Sequence, residues 1–294
     1  MPPDAARTLL AWAEGVLAAS GVPTPALDAR LLLQHAAQVS REDLILEPDR
    51  PLEADAAEMF RILIDRRVRR EPVSRILGTR EFYGRPFTVT PAVLDPRPDT
   101  ETLIDAALRI LPRDARILDL GTGSGAILLT LLAERGDATG VGVDVSPDAL
   151  AVARRNAVAC GVAGRAELVE GSWFGPVTGT FDLIVSNPPY ITRADIAALD
   201  PDVRCFDPTL ALDGGSDGLE AYRAIAAGAG RVLSAIGHIL VEIGAGQETD
   251  VNVIFANAGF ASAGMHCDLG GHVRCLGFNH FILKKPVGNP QPSG

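Results

Sequence analysis

Apolar residues recur at helical spacing through roughly the first seventy positions. Leu9, Leu10, Ala13, Val16 and Leu17 mark one face of a helix that Gly21 and Pro23 close. Thr24-Pro25 opens a second helix, with Leu27, Leu31 and Leu32 as its candidate apolar face. Met59, Leu63 and Ile64 begin the stripe of a later helix that runs into Arg66-Arg67-Val68-Arg69-Arg70 and stops at Glu71-Pro72. The period then changes. Val73, Ile76, Phe82, Phe87 and Val89, interrupted by Gly78 and Gly84, predict a β-hairpin linker. From Arg116 onward short apolar runs alternate with helical stretches. Strands are expected at Ile117–Leu120, Thr139–Val143, Glu167–Val169, Phe181–Val185, His238–Ile243, Phe260–Cys267 and Phe281–Leu283. Helices are expected at Ala126–Ala133, from Ser146-Pro147-Asp148 to Gly161, and at Leu219–Leu233. The expected division is a helical N-terminal domain (1–72), a hairpin linker (73–95), an α/β domain (96–285) and a disordered tail (286–294). There is no internal repeat.

With 294 residues, 47% hydrophobic and 22% charged, the chain has core material for two domains. A formal net charge of -10 argues against a whole-surface grip on nucleic acid, though a local patch is compatible with it. One local excess exists: eight arginines between Arg61 and Arg85 against Asp65, Glu71 and Glu81. Such a run is either a solvated helix face or a docking patch for an acidic partner or an RNA backbone. No apolar run approaches the ~18 residues of a membrane span. The start, Met1-Pro2-Pro3-Asp4-Ala5, lacks a basic-then-apolar leader, and Asp4 argues against a transit peptide. Cys160, Cys205, Cys267 and Cys275 show no Cys-x-x-Cys spacing, so reduced thiols in a cytoplasm are expected. His266, Cys267, His272 and Cys275 lie close together but match no zinc spacing, and no metal is expected.

The candidate chemistry collects at the carboxyl ends of the predicted strands, where open α/β sheets bind ligands. Gly121-Thr122-Gly123-Ser124-Gly125 is a tight turn entering a helix, so backbone can approach a ligand there. Asp144 ends the next strand, nineteen residues past Gly125, where a carboxylate can accept from both hydroxyls of a ribose. That pair fits a dinucleotide or S-adenosylmethionine equally. Trp173 follows the third strand and either packs on a base or fills the core. The fourth strand ends in Ser186-Asn187-Pro188-Pro189-Tyr190. Two prolines cannot donate to a ladder, so the strand stops and the turn is stiff. A planar NH2 group can donate one hydrogen to the Asn187 oxygen and the other to the Pro188 carbonyl, with the Tyr190 ring covering its face. The alternative is a proline-stopped strand with a surface loop. Asp99 or Thr100 is read as the cap of a helix after Arg97-Pro98. His238 is read as a packed histidine.

Across most of its length the chain resembles the HemK/PrmC family of protein-(glutamine-N5) methyltransferases. The matching stretches are Gly78-Thr79-Arg80-Glu81-Phe82-Tyr83-Gly84, Arg97-Pro98-Asp99-Thr100-Glu101, Leu118 to Gly125, Val185 to Ile191, and Ala211-Leu212-Asp213-Gly214-Gly215. Asp95 departs from the pattern, which usually has an aliphatic residue there, and Gly271-His272-Val273-Arg274-Cys275 matches only loosely. The resemblance implies a Rossmann-like seven-stranded sheet behind a helical N-terminal domain, with S-adenosyl-L-methionine as cofactor. It implies cofactor binding by Gly121, Thr122, Gly123, Ser124, Gly125, Asp144, Trp173 and Asn187. It implies catalysis by Asn187, Pro188 and Tyr190, and substrate binding by these with Pro189. The implied partner is a class I peptide chain release factor, methylated at its Gly-Gly-Gln glutamine in support of translation termination. Ribosomal protein L3, or an adenine or guanine in nucleic acid, is the alternative substrate. An NAD dehydrogenase would leave Asn187-Pro188-Pro189-Tyr190 unexplained. The long loop after Tyr190 is expected to wall the site.

Overall fold

The computed structural model describes residues 5–280. The chain opens with four helices: α1 (Ala6–Ala19), α2 (Pro25–Ala37), α3 (Arg41–Leu46) and α4 (Ala54–Val68). Leu9, Ala13 and Leu17 form the buried stripe of α1 as their spacing predicts. In α2 the expected face is rotated: Leu27 and Leu31 are 43% and 37% exposed, while Ala29, Leu32 and Leu33 are buried. The cause is polar. Asp28 turns inward to meet Arg67 of α4 at 2.7 Å, and a buried carboxylate must keep its cation. Likewise Met59 is 46% exposed, and Phe60 joins Leu63 and Ile64 in the core. The unforeseen α3 is held by a reciprocal box in which Ser40 and Asp43 satisfy each other's backbone N–H.

The segment from Val73 is not a strand. Val73–Leu77 forms one more helical turn, α5, closed by Gly78 at φ +71°, and Ile76 packs into the N-terminal helical cluster. The hairpin is correspondingly shorter than expected, β1 (Thr79–Phe82) against β2 (Arg85–Thr88). Its two-residue turn places both Tyr83 (φ +50°) and Gly84 (φ +70°) in the left-handed region that a tight hairpin requires. Phe82 and Phe87 point away from the helical cluster and join the core of the main sheet.

A 3-10 turn at Pro98–Thr100 leads into α6 (Glu101–Ile110). The alternation then builds β3 (Arg116–Leu120), α7 (Ala126–Glu134), β4 (Thr139–Asp144), α8 (Pro147–Ala159), β5 (Ala166–Glu170) and β6 (Phe181–Ser186). After a short helix, α9 (Pro201–Arg204), come α10 (Glu220–Ala229), β7 (Leu233–Glu242), α11 (Glu248–Asn257), β8 (Phe260–Cys267) and β9 (Val273–His280). Helix α10 stops before the expected end at Leu233, which instead opens β7 beside Phe181. Among the described residues the last strand is β9. The strand expected at Phe281–Leu283 and the tail at 286–294 lie outside the described residues.

The seven strands run in the order β5-β4-β3-β6-β7-β9-β8, with the first five parallel and β9 antiparallel to both β7 and β8. Helices α6 and α7 cover one face, and α10 and α11 cover the other. Chain order reverses between β3 and β6, so their carboxyl ends flank a crevice.

The arginine run is neither a solvated face nor a free cationic patch. Six of the eight pair with carboxylates: Arg61, Arg66, Arg67, Arg70, Arg75 and Arg85. Arg67 and Arg70 both reach Asp202, and Arg75 reaches Asp207, so the helical unit grips the long loop after Tyr190. That loop is not structureless; it carries α9 and two 3-10 turns.

Candidate active site

A cavity of about 500 Å³ opens over the carboxyl ends of β3, β4, β5 and β6. Its floor is the glycine turn. Gly121, Gly123 and Gly125 adopt φ of +73°, +55° and +81°, which a side chain would resist. A Cβ on Gly121 or Gly123 would meet nothing within 4 Å, so these two present bare backbone. Gly125 does not line the cavity. Its missing Cβ leaves room for Leu129, 2.6 Å from that position, and so lets α7 sit tightly on the turn. Beneath, the fully buried Asp119 accepts from the Thr122 hydroxyl at 2.6 Å. Burial pushes its carboxyl up to about 7. Ser186 donates to the Leu120 carbonyl at 2.7 Å and ties β6 to β3 beside the crevice.

Asp144 stands at the rim. Its carboxylate accepts from the backbone N–H of Gly123 at 2.8 Å and of Ser146 at 2.9 Å. Trp173 also lines the cavity, half-buried, with backbone in the left-handed region at φ +48°. An aromatic held there without glycine's freedom is a local strain that the surrounding packing maintains. Thr122, Ser124, Asn187 and Pro189 complete the expected lining residues found at the wall. Pro208, Leu210 and Ala211 of the long loop also line it, as expected of that loop, and so do Arg97 and Thr100, to which no binding role was assigned.

Asn187 sits where β6 ends. Its Nδ2 donates to Thr100 Oγ1 at 3.3 Å, which leaves the carboxamide oxygen as the end available to a ligand. Thr100 stands at the N-cap position of α6, as its sequence context suggested, but makes no side-chain cap bond. Its hydroxyl oxygen instead accepts from Asn187. Asp99 does not cap either, but pairs with Arg274 of β9 at 2.9 Å. The weakly matching segment around Arg274 therefore braces the site from β9.

Pro188 and Tyr190 do not line the cavity wall. Tyr190 packs against the core on the α10–α11 side, and burial raises its hydroxyl to about 12. Its carbonyl accepts from Gln247 Nε2 at 3.1 Å. The following residue is held by a return loop: Ile191 N–H donates to Leu212, and Gly214 N–H to Ile191. A Cβ on Gly214 would lie 2.8 Å from the Pro189 carbonyl, so only glycine lets this loop lie on the proline turn.

Glu242, the last residue of β7, escaped the sequence reading. It is 3% exposed and its Oε2 has no hydrogen-bond partner. An acidic residue closing the apolar run Ile239-Leu240-Val241 was the available signal. The His266, Cys267, His272 and Cys275 group does not converge; among the described residues no cluster of three or more potential metal ligands occurs. Also among the described residues, no helix is long and apolar enough to cross a membrane.

Comparison with known proteins places these features in context. Residues 8–78 match the family described as PrmC N-terminal domain, and residues 99–199 match the methyltransferase small domain. The chain is 47% identical to the release factor glutamine methyltransferase of Agrobacterium fabrum, over 89% of this chain and 93% of that protein. It is 44% identical to the protein of the same description from Caulobacter vibrioides, over 95% and 97%. Among solved structures it is similar to a methyltransferase from Pyrococcus furiosus (TM-score 0.54, 19% identity, 76% of this chain and 98% of that one). It is also similar to the catalytic domain of hMettl16 in complex with an RNA hairpin (TM-score 0.59, 15% identity, 71% and 82%). At those identities the structures share the fold alone.

Proposed function

Because the chain belongs to the release factor glutamine methyltransferase family, we propose that it methylates the side-chain nitrogen (N5) of the Gly-Gly-Gln glutamine in class I peptide chain release factors. Its site would act in the cytoplasm and support translation termination. The identity shared with those relatives over most of the chain carries the assignment. The Asn187 carboxamide, held by Thr100 with its oxygen left for a ligand, is the feature of the site that fits it.

The cavity fits S-adenosyl-L-methionine. Bare backbone at Gly121 and Gly123 allows close approach, the start of α7 offers donors, the Asp144 carboxylate an acceptor and the Trp173 ring an apolar wall for a charged nucleoside of that size. When bound, S-adenosyl-L-methionine supplies an electrophilic methyl carbon. Asp144 would accept from the ribose hydroxyls, and Thr122, Ser124, Gly125 and Asn187 would shape the rest of the site.

The chain's own part is orientation. Asn187 Oδ1 and the Pro188 carbonyl would accept the two hydrogens of the substrate carboxamide, and Pro189 would keep that turn rigid. An amide nitrogen is a weak nucleophile, so holding it in line is worth much of the barrier. Positive charge develops on that nitrogen as its new bond forms. The two oxygens stabilise that charge, and Tyr190 would cover the carboxamide. The methylated nitrogen's proton is then acidic and leaves without a strong base.

A pocket that recognises little more than a carboxamide cannot select one protein, so selectivity must come from remote contacts. We assign these to the helical N-terminal unit, expected at 1–72. The packing of α5 with that cluster extends the unit to Leu77.

Full-length protein incubated with labelled S-adenosyl-L-methionine should transfer label to intact release factor, at one glutamine located by mass spectrometry. Separate arms with ribosomal protein L3, RNA and DNA should remain unlabelled. Label in one of those arms and none in the release factor would overturn the assignment. Asp144→Ala should weaken S-adenosyl-L-methionine binding by about 1.5–3 kcal/mol, since charge-assisted hydrogen bonds are lost and Gly123 loses its anchor. Unchanged affinity by calorimetry would remove Asp144 from the cofactor site.

A further inference from the structure

S-adenosyl-L-methionine and a substrate glutamine must share a cavity of about 500 Å³, the size of a site for one drug-sized ligand. The glutamine side chain can enter. The main chain that carries it must stay at the rim, so what stands at the rim meets the residues next to the glutamine.

Two large apolar side chains that line the cavity are also well exposed: Val145 at 45% and Leu210 at 63%. Val145 follows Asp144 and belongs with the nucleoside. Leu210 lies in the loop that returns to the proline turn. A lone exposed leucine needs no explanation on an ordinary surface. Leu210 differs because the backbone on both sides of it is fixed. Before it, Asp207 is buried and takes Arg75 and Arg97. Around it, the N–H groups of Ala211 and Leu212 donate to the carbonyls of Pro208 and Thr209 at 2.9 and 3.0 Å. After it, Leu212 is buried and its carbonyl accepts from Ile191 N–H at 3.1 Å, next to Tyr190. A second stretch of wall, 92–94, is fixed by the same Arg75, which donates to the carbonyls of Thr90 and Val93. The rim is thus braced, and Leu210 is held out on it.

We propose that Leu210 is a specificity-determining residue: it packs on the main chain next to the target glutamine and accepts glycine there, but not a residue with a Cβ. Resting on the release factor reading, this gives the Gly-Gly before the glutamine a physical meaning at the enzyme. Glycine lets a bulky group approach the backbone closely. Leucine laid on that bare backbone buries apolar surface. A Cβ aimed at Leu210 would have to displace it, and the anchors at Asp207 and Leu212 resist. Remote contacts still choose the protein. Leu210 chooses among the glutamines that the docked protein offers.

The test is a competition. Intact release factor is mixed with a variant carrying alanine in place of the glycine just before the glutamine. Label from S-adenosyl-L-methionine is counted in each, which gives the ratio of their kcat/KM values. Full-length wild type should favour the glycine form by roughly 10–200-fold, the range for one carbon misplaced against an apolar group. Leu210→Ala should shrink that ratio by about tenfold and raise the KM for the glycine form. Leu210→Met keeps the bulk and should keep most of the ratio. Both substrates are the same for every enzyme, so any effect of the alanine on the release factor itself cancels. Because Leu210 is exposed, its replacement should leave the melting temperature within about 2 °C of wild type. A ratio unchanged in Leu210→Ala, lost equally in Leu210→Met, or absent from wild type would overturn the assignment. So would a melting temperature that falls much further in Leu210→Ala, which would make Leu210 a structural residue. Failure of the release factor reading looks different: wild type would then leave the glycine form itself unlabelled.

Discussion

Asn187→Ala should lower single-turnover methylation by about 10²–10³-fold while leaving S-adenosyl-L-methionine affinity nearly intact. The magnitude is that of losing one preorganised polar group aimed at developing charge. The split between chemistry and binding follows from position. The proposed cofactor cradle rests on Gly121, Gly123 and Asp144, at the carboxyl ends of β3 and β4, whereas Asn187 follows β6 and is held from α6's side by Thr100. Alanine removes the acceptor and leaves Thr100 without its donor, but Pro188 and Pro189 still fix the turn. Calorimetry with S-adenosyl-L-methionine and rapid quench with release factor separate the two effects. A rate within a few fold of wild type would remove Asn187 from the mechanism; equal loss of binding and rate would make it a cofactor residue only.

The strand ends were legible because their chemistry is local. Glycine φ values, a proline stop and an acidic residue after an apolar strand are each written within a few positions. The structure accordingly puts Gly121, Asp144, Trp173 and Asn187 around one cavity. Contacts between distant segments were not legible. The turn of α2 depends on Asp28 meeting Arg67, thirty-nine positions away, so helical spacing alone selected Leu27 and Leu31 for the core. Thr100 looks like a cap in its own neighbourhood and becomes a partner of Asn187 only when β6 arrives beside it. Glu242 ends a strand whose apolar residues announce burial but say nothing of what the last side chain meets.

The same limit explains the arginines and yields the second large prediction. A charge run reads as surface until its counter-ions are found, and for Arg67, Arg70 and Arg75 some of these lie more than a hundred residues on, at Asp200, Asp202 and Asp207. Asp207 is the centre of one such cluster. Its side chain is 1% exposed and accepts from Arg75 at 2.8 Å and from Arg97 at 2.5 Å. Arg75, itself buried, also donates to the carbonyls of Thr90 and Val93. Beside it Asp95, unusual at this position, accepts from Ser74 at 2.6 Å, and its N–H reaches Asp207. One carboxylate thus joins α5, the segment after the hairpin, and the loop whose Pro208, Leu210 and Ala211 wall the cavity.

Asp207→Ala should destabilise the fold by about 3–5 kcal/mol, because Arg75 stays charged and buried without its counter-ion. Arg97, 38% exposed at its side chain, can turn to solvent and should contribute little of that loss. Removing the stranded charge as well should recover much of the stability, so Asp207→Ala with Arg75→Met should be more stable than Asp207→Ala alone. Freed from its anchor, the wall loop should also raise the KM for release factor more than it lowers kcat. Denaturant unfolding of the two single variants and the double variant measures the coupling directly. A loss below about 1 kcal/mol in Asp207→Ala, or no recovery in the double variant, would show that the backbone carbonyls alone satisfy Arg75. The loop would then be held by the pairs at Asp200 and Asp202.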